Sequence, residues 1–265
     1  GLQRHRLLLA WLWATTGHTE RARAELLAVA GERVQFPGRE RLVVAAVRAA
    51  LARRSSEASQ LREAWTEARP VLARRTVDLL AAPLLEDLVV AAARMREPDL
   101  VAATVGDLEA AIGKLGDPAP WRVLLGWIRL QAAVAIEDAD AAHTAATALA
   151  ELAPGPARQR AQVAAAPTWA DALAGRVDLA RVSDRARALA DAGAEWDASR
   201  LCGNAALRAT DAAVSRQLLE QARDLAADTR TRGAEGAGGV LSGLSEREVE
   251  VARLVVAGET YKVIG

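Results

Sequence analysis

A break in an otherwise helical pattern recurs along this chain near Gly17, Arg54, Glu97, Asp138, Gly175 and Thr210, at successive intervals of 37, 43, 41, 37 and 35 residues. Each break has an apolar helix before it and a polar-capped, Ala-spaced helix after it. A two-helix unit of this length cannot bury its apolar face alone, so it must stack on its neighbours. The spacing therefore predicts an all-α fold, a helical-hairpin solenoid of about six hairpins over residues 1–230. Its clearest members are residues 7–30, 121–152, 168–192 and 196–227.

Long Ala-, Leu- and Arg-rich stretches with few β-branched runs support helix throughout. Alanine on facing helices lets axes approach at the short end of the usual range of about 8–10 Å. Pro70, Pro83 and Pro167 interrupt helical sequence and predict helix ends or kinks, because an internal proline removes a helix hydrogen bond. Asp117-Pro118 with Pro120, and Pro154-Gly155-Pro156, read as connectors between hairpins. An aromatic or Leu in the first helix, Gly or Asp at the turn, then Ala at spacings of three and four resembles the tetratricopeptide repeat. No single unit meets that family's full consensus.

After Asp228 the character changes. Residues 231–243 hold Gly233, Gly236, Gly238, Gly239 and Gly243, the composition of a flexible linker. From Leu244 a new pattern begins. Ser245 and Glu248 form a capping box, apolar residues follow from Val249 to Val256, and Gly258 supplies a helix stop before a second helix. Leu244, Ser245, Arg247, Glu248, Glu250, Val251, Leu254, Ala257, Gly258, Thr260, Lys262 and Ile264 match, in order and without gaps, the opening of the LuxR-type helix-turn-helix domain. Glu259, Tyr261 and Val263 depart from its preferences.

By that resemblance residues 244–265 are the N-terminal part of a DNA-binding head, with Leu244, Ser245, Glu248, Val251, Leu254, Gly258 and Ile264 as its framework. Thr260, Tyr261 and Lys262 would make weak phosphate contacts. In helix-turn-helix proteins the second helix of the motif reads the major groove, and here it would lie beyond Gly265. The chain is thus expected to be a fragment ending inside the domain and not to read DNA sequence. Charge agrees, since from Leu244 onward Arg247, Arg253 and Lys262 face four glutamates.

Composition narrows the remaining classes. The chain is 51% hydrophobic and 26% charged with zero formal net charge, so it is globular and no global field draws nucleic acid or anionic membrane to it. Cys202 is the single cysteine, which excludes an internal disulfide and a cysteine metal cluster. The apolar run Leu7 to Trp13 is short for a signal peptide, no stretch is long enough to span a membrane, and a cytoplasmic location is expected. The preference for arginine over lysine points to a high-GC bacterial source.

The residues offer no catalytic constellation, metal set or phosphate-binding loop, so this portion reads as non-enzymatic, without a cofactor of its own. Glu86, Asp87, Asp138, Asp140, Asp178 and Asp184 show no repeated metal spacing and read mostly as caps or solvated faces. His143 reads as solvated or simply packed, and Cys202 as a buried small residue. The tryptophans read chiefly as packing, with Trp121, Trp127, Trp169 and Trp196 as candidates for a ligand or partner groove.

The order of elements resembles the C-terminal part of large LuxR-type transcriptional regulators. That implies a sensor or interaction platform controlling a DNA-binding head, with promoter DNA as partner of the intact protein and a protein partner or small inducer on the repeats. Self-association is also compatible with it. ATP would enter only through a nucleotide-binding module upstream. The alternative is a tetratricopeptide-like scaffold or adaptor that binds no DNA.

Overall fold

The computed structural model of this chain describes residues 2–30, 38–55, 58–75 and 77–239. These residues form twelve α-helices and one 3-10 helix, and no strand is found among them; the fold is all-α. Helices that follow one another in the chain pack together. α1 (Leu2–Thr15) lies on α2 (Thr19–Ala30), α3 (Gly38–Ser55) on α4 (Ala58–Ala73), and α5 (Leu85–Arg94) on α6 (Pro98–Lys114). Then α7 (Ala119–Ala135) lies on α8 (Ala139–Ala150), α9 (Ala157–Leu173) on α10 (Leu179–Asp191), and α11 (Glu195–Ala206) on α12 (Ala212–Gly239). The 3-10 helix, Leu79–Leu84, leads directly into α5.

The breaks marked by the sequence fall at the connections within these pairs or in the helix turn beside them. Local chemistry explains why. Asp138 and Asp178 are N-caps whose carboxylates accept the amides of Ala141 and Arg181 at 2.9 and 3.1 Å. On the other side of each break the chain turns through the left-handed region. Gly17 and Gly175 supply it at φ 82° and 78°, whereas Arg96 and Glu137 adopt φ 57° and 60° in the equivalent places. The amides that follow, on His18, Arg176, Glu97 and Asp138, donate back to Trp13, Asp171, Ala92 and Ala133 carbonyls at 2.8–3.0 Å, closing the last helical turn.

The last helix, α12, includes residues 231–239, the first part of the stretch that the sequence reads as a Gly-rich linker. A helix already nucleated against α11 extends at a small cost per residue, and each interior glycine adds only about 1 kcal/mol. Residues 240–243, and the whole stretch 244–265 with its framework and phosphate-contact residues, lie outside the described residues. Pro70 and Pro167 sit inside α4 and α9, while Pro83 falls in the 3-10 helix, where the α-helix has not yet begun.

The odd-numbered helices contact one another in order, α1 to α3, α5, α7, α9 and α11, and so form a continuous inner layer under the even-numbered ones. The layer needs small residues. Ala45, Ala46, Ala49 and Ala50 of α3 and Ala165, Ala166 and Ala170 of α9 are all buried. Helix α7 joins two halves of the core. Leu125 and Ile128 pack toward the N-terminal half, and Val123, Trp127 and Leu130 toward the C-terminal half. Such a helix must be apolar on more than one face, as its sequence is. Gly126 lets α8 approach, since a Cβ there would lie 2.8 Å from the Leu149 Cδ2 atom. Finally α12 of the last pair touches α2 of the first, so the two ends of the array meet. Among the described residues no helix is long and apolar enough to cross a membrane.

Candidate functional site

Where the inner helices converge, a core of alanine and leucine gives way to charge. Arg53 and Arg54 stand near the C-terminal end of α3, Glu86 and Asp87 in the first turn of α5, and Arg158 in the first turn of α9. Asp197 and Arg200 stand one turn apart on α11. Arg53 and Asp87 are nearly sealed from solvent and paired at 2.8 Å through Nη1 and Oδ1. The same nitrogen reaches the Glu86 carbonyl at 3.3 Å. A pair this deep loses much hydration, and its partner charge and the extra acceptor offset that loss.

The other members are held less tightly. Arg158 Nη2 lies 3.7 Å from the Glu86 carboxylate and 3.9 Å from that of Asp197, and Arg200 Nη1 lies 3.8 Å from Asp197. Arg200 also donates to Gln131 Oε1 at 2.6 Å, from a guanidinium stacked 5.3 Å above the Trp169 ring. Arg54 covers the Trp196 ring at 5.1 Å and donates from Nη1 to the Ala50 carbonyl at 2.9 Å. These contacts tie α3 to α11, α5 to α9 and α7 to α11, none of them neighbours in the chain.

Burial dominates the electrostatics. It pushes the Glu86 carboxyl up to about 7, with Asp197 and Asp87 adding to the rise and Arg158 and Arg53 opposing it. It pulls Arg200 down to about 9, helped by Arg53 and Arg94 and resisted by Asp197 and Asp87. Burial likewise lowers Arg54, against the pull of Asp87 and Asp197. For Arg158 burial acts downward, but Glu86, Asp197 and Asp87 together outweigh it and leave the guanidinium above its ordinary value. Four arginines thus face three carboxylates around a cavity of about 30 Å³, bordered also by Thr15, Trp127, Gln131 and Trp196.

The structure brings Trp127 and Trp196 together at this cavity and places Trp169 beneath one of its arginines. Trp121, at the start of α7, is half-buried against the N-terminal part of the core and does not border it. Trp127 and Trp169 are about 1% exposed, so they fill core volume while presenting an edge or a face to the charges. Neither Glu86 nor Asp87 caps a helix; Asp87 is buried and Glu86 half-buried, both at the start of α5 beside the arginines of the inner layer. His143 is exposed and Cys202 is buried, the latter with its thiol pushed up to about 12 by burial.

Sequence reasoning passed over Arg53, Arg54, Arg158 and Arg200. One signal was present: each sits on the first helix of a hairpin, the helix that faces inward in such arrays. Among the described residues no group of three or more His, Cys, Asp or Glu is arranged to hold a metal ion. A second concavity of about 720 Å³ lies at the N-terminal end between α1, α3 and the 3-10 helix, bordered by Leu8, Trp11, Val43 and Leu80. Leu8 and Leu80 are exposed there.

No protein-family model matches the chain, and no curated protein and no solved structure matches it significantly.

Proposed function

We propose that this chain is the sensor arm of a LuxR-type transcriptional regulator, in which a tetratricopeptide-like helical solenoid controls a DNA-binding head beginning at Leu244. The observation that carries this reading is the gapless run of LuxR-type framework residues from Leu244 to Ile264, placed directly after the helical array. The paired helices support it, since stacked hairpins offer a broad inner surface for a ligand or partner. The inner layer also concentrates charge and aromatic rings where six helices converge, and buried polar groups of this kind give an array something to recognise. On this reading the arm performs no chemistry and carries no cofactor, and ATP would act only through an upstream module. An inducer or protein partner on the array frees or orders the head, which then docks on promoter DNA.

The experiment is to read the parent gene for about 45 codons past Gly265, the length needed for the remaining helices of the domain. The proposal predicts a short turn, a helix opening with a Ser-x-x-Thr-Val type start, and basic residues. A continuation into further Ala-rich hairpins would contradict it. The second reading, a repeat adaptor, is favoured by one feature, the concavity at Leu8, Trp11 and Leu80, which suits an apolar partner segment.

A further inference from the structure

The buried apolar residues of this chain fall into two clusters that divide at α7. One holds residues of α1 to α6 together with Leu125 and Ile128 of α7; the other holds residues of α8 to α12 together with Val123, Trp127, Leu130, Ala133 and Val134. Each half therefore has a core of its own, with Leu42, Leu61 and Leu88 fully buried in the first and Trp169, Leu189 and Leu201 in the second. The second half grips α7 along more of its length, and Leu149 of α8 closes on it at Gly126. A body with its own core keeps its shape when its neighbour moves, so relative motion depends on what else joins the two.

Away from α7 the halves are held by charge. Arg54 of α3 lies over the Trp196 ring of α11 at 5.1 Å, and Arg158 of α9 stands 3.7 Å from the Glu86 carboxylate of α5. Charges held this way regain hydration when they part, which an apolar interface does not. Helices α2 and α12 touch at the seam where the ends of the array meet, but a cleft of about 390 Å³ remains there, bordered by Glu20 and Arg23 of α2, Ser199 of α11 and Ala226 of α12. Glu86 adds a bias toward parting. It faces Arg158 of α9, Asp197 of α11, Arg53 of α3 and its neighbour Asp87, while α4, α6, α7 and the 3-10 helix, which also pack on α5, place no charged group at the cavity. Lost hydration outweighs the pull of the arginines and pushes its carboxyl up to about 7, so at higher pH its ionised form favours water over the closed centre.

We propose that α7 is a hinge and the charged centre a latch: the half made of α1 to α6 swings on Leu125 and Ile128 away from the half made of α8 to α12, parting α2 from α12 and opening the charged centre to water. The proposal rests on the divided core and the polar contacts that bridge it, and is independent of the DNA-binding reading. Its consequence is that the array has two states, one with the arginines and Trp196 covered and one with them presented at the surface.

The test is a spin-label distance measurement by pulsed electron resonance on the 265-residue chain at pH 8, with Cys202→Ala so that only introduced cysteines are labelled. Glu20→Cys with Asp224→Cys spans the seam. Ala24→Cys with Glu63→Cys, and Thr147→Cys with Asp224→Cys, each lie within one half, and all five positions are exposed. The expected result is two distances for the seam pair, one short and one distinctly longer, and a single distance for each internal pair. Arg158→Met removes the charge that holds α9 to α5 and should raise the long-distance fraction by roughly threefold, the order of one partly exposed ion pair. Glu86→Gln removes the charge that closure strips of water and should lower that fraction by roughly tenfold. A single seam distance in all three proteins, internal pairs that lengthen along with the seam pair, or a long-distance fraction moved the same way by both substitutions would overturn the proposal.

Discussion

At the scale of single residues, Glu86 and Asp87 are adjacent in sequence and opposite in behaviour. Asp87 is locked to Arg53, whereas Glu86 sees Arg158 only at 3.7 Å and its carboxyl is raised to about 7. A carboxyl raised in the folded state binds more protons there than in the unfolded chain. Stability therefore falls as pH rises from about 4.5 to about 7, and the penalty is complete above that. Glu86→Gln keeps the shape without the charge. It should raise unfolding stability at pH 8 by about 1–3 kcal/mol and flatten the dependence between pH 5 and 7, as read from urea denaturation across that range. Asp87→Ala should act the other way, costing about 3–5 kcal/mol because it leaves Arg53 buried and unpaired. Replacing both, Arg53→Met with Asp87→Leu, should recover most of that loss; equal loss in the single and double variants would show that the pair is not what matters.

At the scale of helices, glycine is informative in contrasting pairs. Gly106 in α6 has open space where a Cβ would go, while Gly126 in α7 meets the buried Leu149 side chain of α8. Gly106→Ala should stabilise by about 0.5–1 kcal/mol through helix propensity alone. Gly126→Ala gains the same propensity but must displace Leu149, and overpacking of this kind costs about 1–3 kcal/mol, so the net effect should be destabilising. Thermal melts of the two variants, in opposite directions from the parent, check this. The same scale shows what could be read from sequence. The breaks at Asp138 and Gly175 were legible because an N-cap aspartate and a left-handed glycine are local chemistry. At Arg96 and Glu137 non-glycine residues adopt the left-handed turn, so there only the period and the following helix start gave the break away. Four of the five glycines that signal a linker, Gly233, Gly236, Gly238 and Gly239, fall in the end of α12, where a docked helix upstream carries the backbone through them.

At the scale of the molecule, the centre was illegible for a plain reason. Arg53, Asp87, Arg158, Asp197 and Arg200 carry no motif, and their spacings of 34, 71, 39 and 3 residues have no meaning until the array curls and α2 meets α12. Each taken alone is an ordinary solvated charge. Only the arginines' and carboxylates' place on the odd-numbered helices hints at them in sequence, and which face of those helices turns inward becomes visible only after packing is known. The tryptophans were half legible: their role in filling an alanine-rich core follows from volume, but that Trp127 and Trp196 share a cavity, with Trp169 beneath Arg200, and that Trp121 stands apart, depends on the rotation of α7, α9 and α11.

If, as proposed, the helical array governs a DNA-binding head, the full-length protein and a version lacking residues 1–230 differ in a gel-shift titration on the promoter of the parent gene, with and without the cell extract or inducer that activates it. The full-length protein should bind only under the activating condition, and the truncated one regardless of it. Identical conditional binding by both would place control elsewhere, and the array would then have to be read as a scaffold.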